Sequence, residues 1–216
     1  MLVKKQHRNG AYNPKVALIM LLGIGACFLG MYLAKPAHNQ AKPPTPPNLQ
    51  PGESAMVTVR VFNSAGQLTD PVTMAKVVRT EEEWKKRLTP EQYRVARNSG
   101  TEQAFCGNLL DNKKEGAYTC VCCQLPLFAS NAKFNSGTGW PSFFQPICKE
   151  NVTEKSDNAY GMVRVEINCA RCDAHLGHVF EDGPREKTGL RFCLNSESLE
   201  FTEQAALGKL AEPLAK

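Results

Sequence analysis

Short apolar segments separated by Gly, Pro and Asn fill the chain after Gly100, and no long helical period occurs there. Val163, Val165 and Ile167 alternate with charged residues, and residues 190–194 repeat the alternation. A period of two is typical of antiparallel strands with one buried face. The pattern therefore predicts a mainly β domain, with helices only at its N-terminal edge.

Two short helices and a hairpin are predicted ahead of this region. Capping boxes begin at Thr80 and Thr89 and predict helices over about 81–88 and 90–98. Alternating valines followed by an Asn-Ser-Ala-Gly turn predict an accessory β-hairpin region in residues 56–79.

The N-terminal part has a different pattern. Val16 to Ala34 is a run of nineteen apolar residues without a charge, long enough to span a bilayer. The basic residues 1–15 precede it, so we expect a cytoplasmic N-terminus and a retained signal anchor, with the rest on the periplasmic side. A cleaved secreted form and a lipoprotein anchored through Cys27 are the alternatives. Residues 35–55 form a Pro-rich linker of polyproline type.

The net positive charge of the chain comes from this N-terminal part. Residues 1–55 hold six of the 26 Lys and Arg and one of the 21 Asp and Glu, which leaves 20 basic and 20 acidic residues for the remainder. A formally neutral globular part argues against a nucleic-acid surface.

One alternating segment near the C-terminus carries candidate chemistry. Arg191, Cys193 and Asn195 share one face of the predicted strand, and the adjacent guanidinium favours a reactive thiolate. His175 and His178 precede the segment and could supply protons. Singly, such residues are more typical of a buried thiol, structural histidines and a surface ion pair. Their combination indicates a cysteine nucleophile.

Two C-x-x-C pairs predict a metal site. Cys120 with Cys123 and Cys169 with Cys172 can place four thiolates around one tetrahedral zinc ion, with no open position for catalysis. Two disulfides are the alternative that an extracytoplasmic location allows. Cys122 lies beside the first pair and is predicted to be a bystander.

Several motifs occur together in one order: Gly100-Thr-Glu102, the two C-x-x-C pairs, Ser136-Gly-Thr-Gly-Trp-Pro-Ser-Phe143, His175-Leu-Gly-His178-Val-Phe180, Asp182-Gly-Pro184 and Arg191-Phe-Cys193-Leu-Asn-Ser196. Through them, residues 84–201 resemble the peptide-methionine (R)-S-oxide reductases, the B-type methionine sulfoxide reductases. The resemblance implies two antiparallel β-sheets and one structural zinc ion remote from catalysis. We place the reductase domain, with its flanking residues, at 80–216.

The resemblance also implies the two reactive cysteines. Cys193 would attack the sulfoxide sulfur, held as thiolate by Arg191, and would become a sulfenic acid that condenses with a second thiol. Some family members place that thiol where this chain has Thr138. Cys106 matches another position that the family uses, Cys148 is the fallback, and a cycle with Cys193 alone is the remaining alternative.

Five further residues receive roles from the resemblance. His175, His178 and Asn195 would hydrogen-bond and protonate the sulfoxide oxygen, directly or through water. Asp182 would orient that network, and Trp140 would form an apolar wall for the substrate methyl group.

The expected partners are oxidised protein substrates and a thioredoxin-like reductant facing the same compartment, and the protein is expected to be a monomer. Two other functions stay open. A zinc-stabilised β module could only bind partners, but such a module would not require the reactive face. A thiol oxidoreductase acting on disulfides would need a C-x-x-C pair near a helix N-terminus, and both pairs are assigned to metal.

Overall fold

The computed structural model describes residues 55–158 and 161–211. The predicted anchor, the predicted linker and the alternative lipid site at Cys27 lie outside the described residues. Among the described residues, every helix is too short or too polar to cross a membrane.

The described residues contain two α-helices and eleven strands. In chain order these are β1 (Met56–Val59), β2 (Val72–Ala75), α1 (Glu81–Arg87), α2 (Pro90–Ala96), β3 (Gly116–Cys120), β4 (Pro126–Ala129), β5 (Lys133–Phe134), β6 (Ser142–Phe143), β7 (Val152–Asp157), β8 (Arg164–Cys169), β9 (His175–Phe180), β10 (Arg191–Leu194) and β11 (Leu199–Glu203). Short 3₁₀ helices cover Ser130–Ala132, Lys149–Asn151, Ser196–Ser198 and Gln204–Ala211.

Both helices begin where their capping boxes predict. The Thr80 hydroxyl accepts from the Glu83 backbone N–H, while the Glu83 carboxylate accepts from the Thr80 N–H at 2.8 Å. Helix α1 ends one residue before its predicted end, because Leu88 is extended and leads directly into Thr89, the extended N-cap of α2. Helix α2 ends at residue 96, two residues earlier than predicted.

The strands form three antiparallel sheets. One has six strands in the order β5-β6-β10-β9-β8-β7, and another has three in the order β11-β3-β4. Strands β1 and β2 pair as a separate two-stranded sheet. The predicted mainly β, antiparallel class is confirmed, and the third sheet comes from residues ahead of the region that resembles the family.

An aromatic cluster joins the two larger sheets. Tyr118 of β3 and Phe128 of β4 contact Phe143 of β6, with ring centroids 4.9 and 4.8 Å apart, and Phe128 also meets Phe192 of β10 at 5.6 Å. All four side chains are buried. Since side chains alternate along a strand, Phe192 in the core leaves its neighbour Cys193 on the opposite face of the six-stranded sheet.

The extension at residues 55–79 is part of the folded unit. Val59 of β1 is fully buried in the main core. The Asn151 side chain accepts from the Arg60 backbone N–H at 2.8 Å and donates to the Arg60 carbonyl at 2.7 Å. The Val77 N–H donates to the Arg171 carbonyl, inside the second C-x-x-C pair, at 2.9 Å.

Candidate active site and metal centre

A row of polar side chains crosses the six-stranded sheet. The cross-strand partners, taken from β7 to β6, are Lys155, Glu166, His178, Cys193 and Ser142. Directly paired residues of antiparallel strands project from the same face, so the thiol of Cys193 has an imidazole on one side and a hydroxyl on the other. The strand pairing therefore brings together residues that are far apart in the sequence.

The Cys193 thiol is half-buried, and its surroundings act on it in opposite directions. Burial raises its pKa above the ordinary value, while the positive charge of Arg191 and hydrogen bonding from Thr138 and Arg191 lower it. The predicted effect of Arg191 is present, but it does not outweigh burial. The Sγ atom lies 4.0 Å from the Thr138 hydroxyl oxygen.

Arg191 is fixed by two neighbours. Its Nε and one terminal nitrogen donate to the two carboxylate oxygens of Asp182 at 2.8 and 2.9 Å, and its guanidinium lies 4.4 Å from the centre of the Phe180 ring. The ion pair raises the pKa of Arg191 and lowers that of Asp182. The resemblance implied that Asp182 orients the histidines and Asn195, but in the described contacts it orients the Arg191 guanidinium.

Each histidine has a carboxylate partner. His175 Nδ1 lies 2.6 Å from a Glu166 oxygen, and His178 Nε2 lies 2.8 Å from Asp157 Oδ2. The two rings are 5.5 Å apart between centroids. Burial lowers the pKa of His175, which favours the neutral ring. Its Nε2 is buried and has no hydrogen-bond partner among the described residues.

Asn195 connects two segments of the backbone. Its buried side chain accepts from the Glu102 backbone N–H at 3.0 Å and donates to the Leu176 carbonyl at 3.1 Å. One amide hydrogen remains for the role that the resemblance implied. The observed contacts hold the end of β10 against the loop that contains Cys106.

Trp140 lies on a loop and is half-buried. Its indole N–H donates to the Glu102 carbonyl at 3.2 Å. The ring lines a cavity of about 680 Å³ together with Phe134, Ser136, Ser142 and Phe105. Phe105 is 69% exposed, so this cavity offers aromatic walls that are open to solvent.

The two candidate resolving cysteines lie in different places. Cys106 is exposed, and the loop before it is fixed to the tryptophan loop by a bond of 2.8 Å from the Phe105 N–H to the Gly139 carbonyl. Gly139 has a φ of 88°, which favours glycine, and the Phe105 ring lies close beside it. Cys148 is half-buried with a pKa raised to about 11 by burial, and it lies near Arg60. The choice of Cys106 over Cys148 as the resolving thiol stays a prediction.

The four predicted metal ligands meet at one point. The Sγ atoms of Cys120, Cys123, Cys169 and Cys172 all lie within 4.8 Å of one another, and Cys122 is not among them. The Cys120–Cys172 and Cys123–Cys169 sulfur distances are 3.6 and 3.5 Å. Zn–S bonds of about 2.3 Å give a tetrahedron edge of about 3.8 Å. Two disulfides require sulfurs about 2 Å apart, so the cluster fits a metal ion better.

The backbone repeats the same turn at both pairs. The N–H of Cys120 donates to Leu125 and its carbonyl accepts from Gln124; Cys169 makes the equivalent bonds with Ala174 and Asp173. Gln124 and Asp173 have φ of 61° and 57°, a conformation that closes each turn. Burial raises the pKa of Cys120 and Cys169, so four thiolates would require a bound cation here.

The sequence analysis did not identify three acids that contact residues of the candidate site. Glu102 is buried, and its carboxylate accepts from the backbone N–H groups of Ser196 and Glu197 at 2.8 and 2.9 Å. Asp157 and Glu166 are the histidine partners described above. Glu102 belongs to the Gly100-Thr-Glu102 motif, whereas nothing local in the sequence pairs Asp157 and Glu166 with the histidines.

Comparisons with known proteins agree with this geometry. Residues 88–203 match the family model of the SelR domain. The chain is 55% identical over 137 residues to a peptide methionine sulfoxide reductase MsrB of Methanosarcina mazei, covering 63% of this chain and 97% of that protein. It is 56% identical over 128 residues to the protein of the same name from Hahella chejuensis, covering 59% of this chain and 91% of the relative. The chain therefore belongs to the peptide methionine sulfoxide reductase MsrB family.

Proposed function

We propose that this protein reduces methionine-R-sulfoxide in oxidised proteins to methionine, with Cys193 as the nucleophile and Cys106 as the resolving thiol. Family membership supports sulfoxide reduction, and selectivity for the R epimer follows from the resemblance. The observation that carries the proposal is the position of the Cys193 thiol, in register with His178 and one pleat from Arg191 on the same strand.

The first step transfers the sulfoxide oxygen to the enzyme. The Cys193 thiolate attacks the sulfoxide sulfur, one proton is taken up, and the products are methionine and the Cys193 sulfenic acid. The substrate sulfur is reduced by two electrons and the cysteine sulfur is oxidised by two. Arg191, held by Asp182, stabilises the thiolate before attack.

The histidines assist the transfer of a proton to the sulfoxide oxygen in this step. A sulfoxide oxygen leaves only when it is protonated, so an acidic group or an ordered water must reach it. Glu166 and Asp157 fix the ring orientations of His175 and His178. With its Nδ1–H donated to Glu166, His175 presents a lone pair on Nε2 that can hold such a water.

The second step restores the nucleophile. The Cys106 thiol attacks the sulfenic sulfur, water leaves, and a Cys106–Cys193 disulfide forms. A thioredoxin-like dithiol then reduces this disulfide by exchange, and the exposed position of Cys106 supports attack on its sulfur. Glu102 and Asn195 hold the two cysteine-bearing segments together for this step.

Zinc is the ion that we propose for the four-cysteine cluster. When bound, it would stabilise the fold and take no part in the reaction, because all four positions are filled by thiolates. Chelation should therefore lower the melting temperature and release one zinc per chain. Activity should fall only in proportion to the unfolded fraction.

The predicted anchor and its orientation remain proposals from the sequence. We propose that residues 16–34 hold the reductase domain on the periplasmic side, where its oxidised protein substrates and its reductant would also lie. A fusion reporter active only outside the cytoplasm, placed after residue 216, tests this orientation.

A single-turnover experiment tests the chemical proposal. Full-length protein is mixed with a methionine-R-sulfoxide peptide without reductant, and methionine formation is counted per chain. Wild-type protein should form one methionine and a Cys106–Cys193 disulfide. Cys106→Ser should form one methionine and leave a sulfenic acid that dimedone traps at Cys193, whereas Cys193→Ser should form none. Methionine formation by folded Cys193→Ser protein would contradict the proposal.

A further inference from the structure

The Thr138 hydroxyl is the contact to the nucleophile that the described roles leave unused. Its oxygen lies 4.0 Å from the Cys193 Sγ, within hydrogen-bonding range for sulfur. The two residues around it, Gly137 and Gly139, have φ of 72° and 88°. Such values favour glycine, so the loop conformation that aims Thr138 at the thiol is built into the sequence.

Two serines continue from this hydroxyl in a chain of hydrogen bonds. The Ser136 hydroxyl oxygen lies 2.9 Å from that of Thr138 and 2.8 Å from that of Ser142. Ser142 is buried on β6 directly opposite Cys193, and its hydroxyl donates to the Trp140 carbonyl at 3.2 Å. The chain therefore begins at a fixed buried group and ends at the reactive sulfur.

The number of hydroxyl hydrogens limits which of these contacts can be hydrogen bonds, because each hydroxyl has one hydrogen to donate. The four contacts from the Trp140 carbonyl to Cys193 share three hydroxyl hydrogens. If Ser142 donates to the Trp140 carbonyl and Ser136 donates to Ser142, the Thr138 hydrogen goes either to Ser136 or to the sulfur. If Ser142 donates to Ser136 instead, Ser136 donates to Thr138, which must then donate to Cys193. In both arrangements Thr138 can donate a hydrogen bond to a thiolate.

We propose that Thr138 is a further catalytic residue, which donates a hydrogen bond to the Cys193 thiolate and is oriented by Ser136 and Ser142. The proposal rests on the proposed nucleophilic role of Cys193. The hydroxyl acts beside Arg191, which contributes from β10 itself, so the thiolate is contacted from its own strand and from the tryptophan loop.

Other charged and polar groups also surround the Cys193 thiol. Arg191 is the nearby cation, and Asp182 acts against it by raising the thiol pKa. His178 is the cross-strand partner on β9 and is paired with Asp157. On the β6 side the partner is the uncharged Ser142. A neutral donor on the loop adds stabilisation without changing the charge of the site.

The test compares Thr138→Val, which keeps the shape, with Thr138→Ser, which keeps the hydroxyl. The rate of iodoacetamide alkylation at Cys193 is measured from pH 6 to 10 in full-length protein, resolved from other cysteines by peptide mass spectrometry. In Thr138→Val the thiolate loses one hydrogen bond, which should raise the apparent pKa of Cys193 by about one unit. Alkylation at neutral pH should therefore be about tenfold slower than in wild type. First-turnover reduction should slow in parallel, and Thr138→Ser should stay within about twofold of wild type.

The outcomes separate this proposal from the proposed function. An alkylation profile of Thr138→Val that matches wild type would overturn the proposal, as would Thr138→Ser behaving like Thr138→Val. If wild-type protein failed to reduce any sulfoxide, the function would fall while the alkylation profiles still decided the hydrogen bond. Thr138→Ala, which introduces no larger group, repeats the measurement if Thr138→Val does not fold.

Discussion

The side-chain oxygen of Asn195 accepts a hydrogen bond from the backbone N–H of Glu102 at 3.0 Å, and both residues are buried. The contact joins the end of the nucleophile strand to the loop that leads to Cys106. The Glu102 carbonyl also accepts from the Trp140 indole at 3.2 Å. Glu102 thus connects the three segments that carry Cys193, Cys106 and Trp140.

Replacing Glu102 should uncouple these segments. In Glu102→Ala, the buried N–H groups of Ser196 and Glu197 lose their acceptor, which should destabilise the fold by about 2–4 kcal/mol. Disulfide formation between Cys106 and Cys193 should slow more than the first methionine formation, since only the former needs the loop in place. Urea unfolding and dimedone trapping measure the two effects. Glu82→Ala, at an exposed acid of helix α1, is the matched control.

The stability of the protein should fall in mild acid partly through His175. Burial lowers its pKa in the folded state, so the unfolded chain, with a pKa of about 6.5, takes up a proton first. The contribution of neutral His175 to the free energy of unfolding is therefore complete above the unfolded-state pKa. It is lost as the pH falls from that pKa to the lower pKa of the folded state. Unfolding free energies from pH 7.5 to 5 should decline less steeply in His175→Gln. An unchanged slope would contradict the burial argument.

A cysteine at position 138 should restore a resolving thiol. Thr138 Oγ1 is 4.0 Å from Cys193 Sγ, and a small side-chain rotation would bring a thiol there within bonding distance. The double variant Cys106→Ser/Thr138→Cys should recover thioredoxin-dependent turnover that Cys106→Ser alone lacks. Cys106→Ser/Thr138→Ser is the control, and mass spectrometry should find a 138–193 disulfide. A sulfenic acid that persists in the double variant would contradict the geometry.

The extension should contribute strongly to stability through Asn151. Its side chain is fully buried and bonds the Arg60 backbone and the Pro126 carbonyl, the latter at 2.6 Å. Asn151→Ala should cost about 2–4 kcal/mol, because these backbone groups lose their partners. Thr58→Ala on strand β1, whose hydroxyl contact is exposed, should change stability by less than about 0.5 kcal/mol. Urea unfolding measures both.

The sequence predicted the features that local chemistry determines. Capping boxes set the starts of both helices, and C-x-x-C spacing identified the four cysteines that meet. Alternation placed Arg191 and Cys193 on one face because a strand has a period of two. The acids that hold the histidines could not be found this way, since Asp157 is 21 residues from His178 and only strand register joins them. The burial of the thiol likewise depends on packing that no local pattern shows.

The central claim is that Cys193 performs sulfoxide reduction, and turnover with defined epimers tests it most directly. Full-length wild-type protein and Cys193→Ser are incubated with a methionine-R-sulfoxide peptide or its S epimer, with dithiothreitol as reductant. The account predicts turnover of the R epimer by wild type and a loss of at least about a thousandfold in Cys193→Ser, as for removal of a covalent nucleophile. If folded, zinc-loaded wild-type protein reduced neither epimer, or if Cys193→Ser retained turnover, the account would be contradicted.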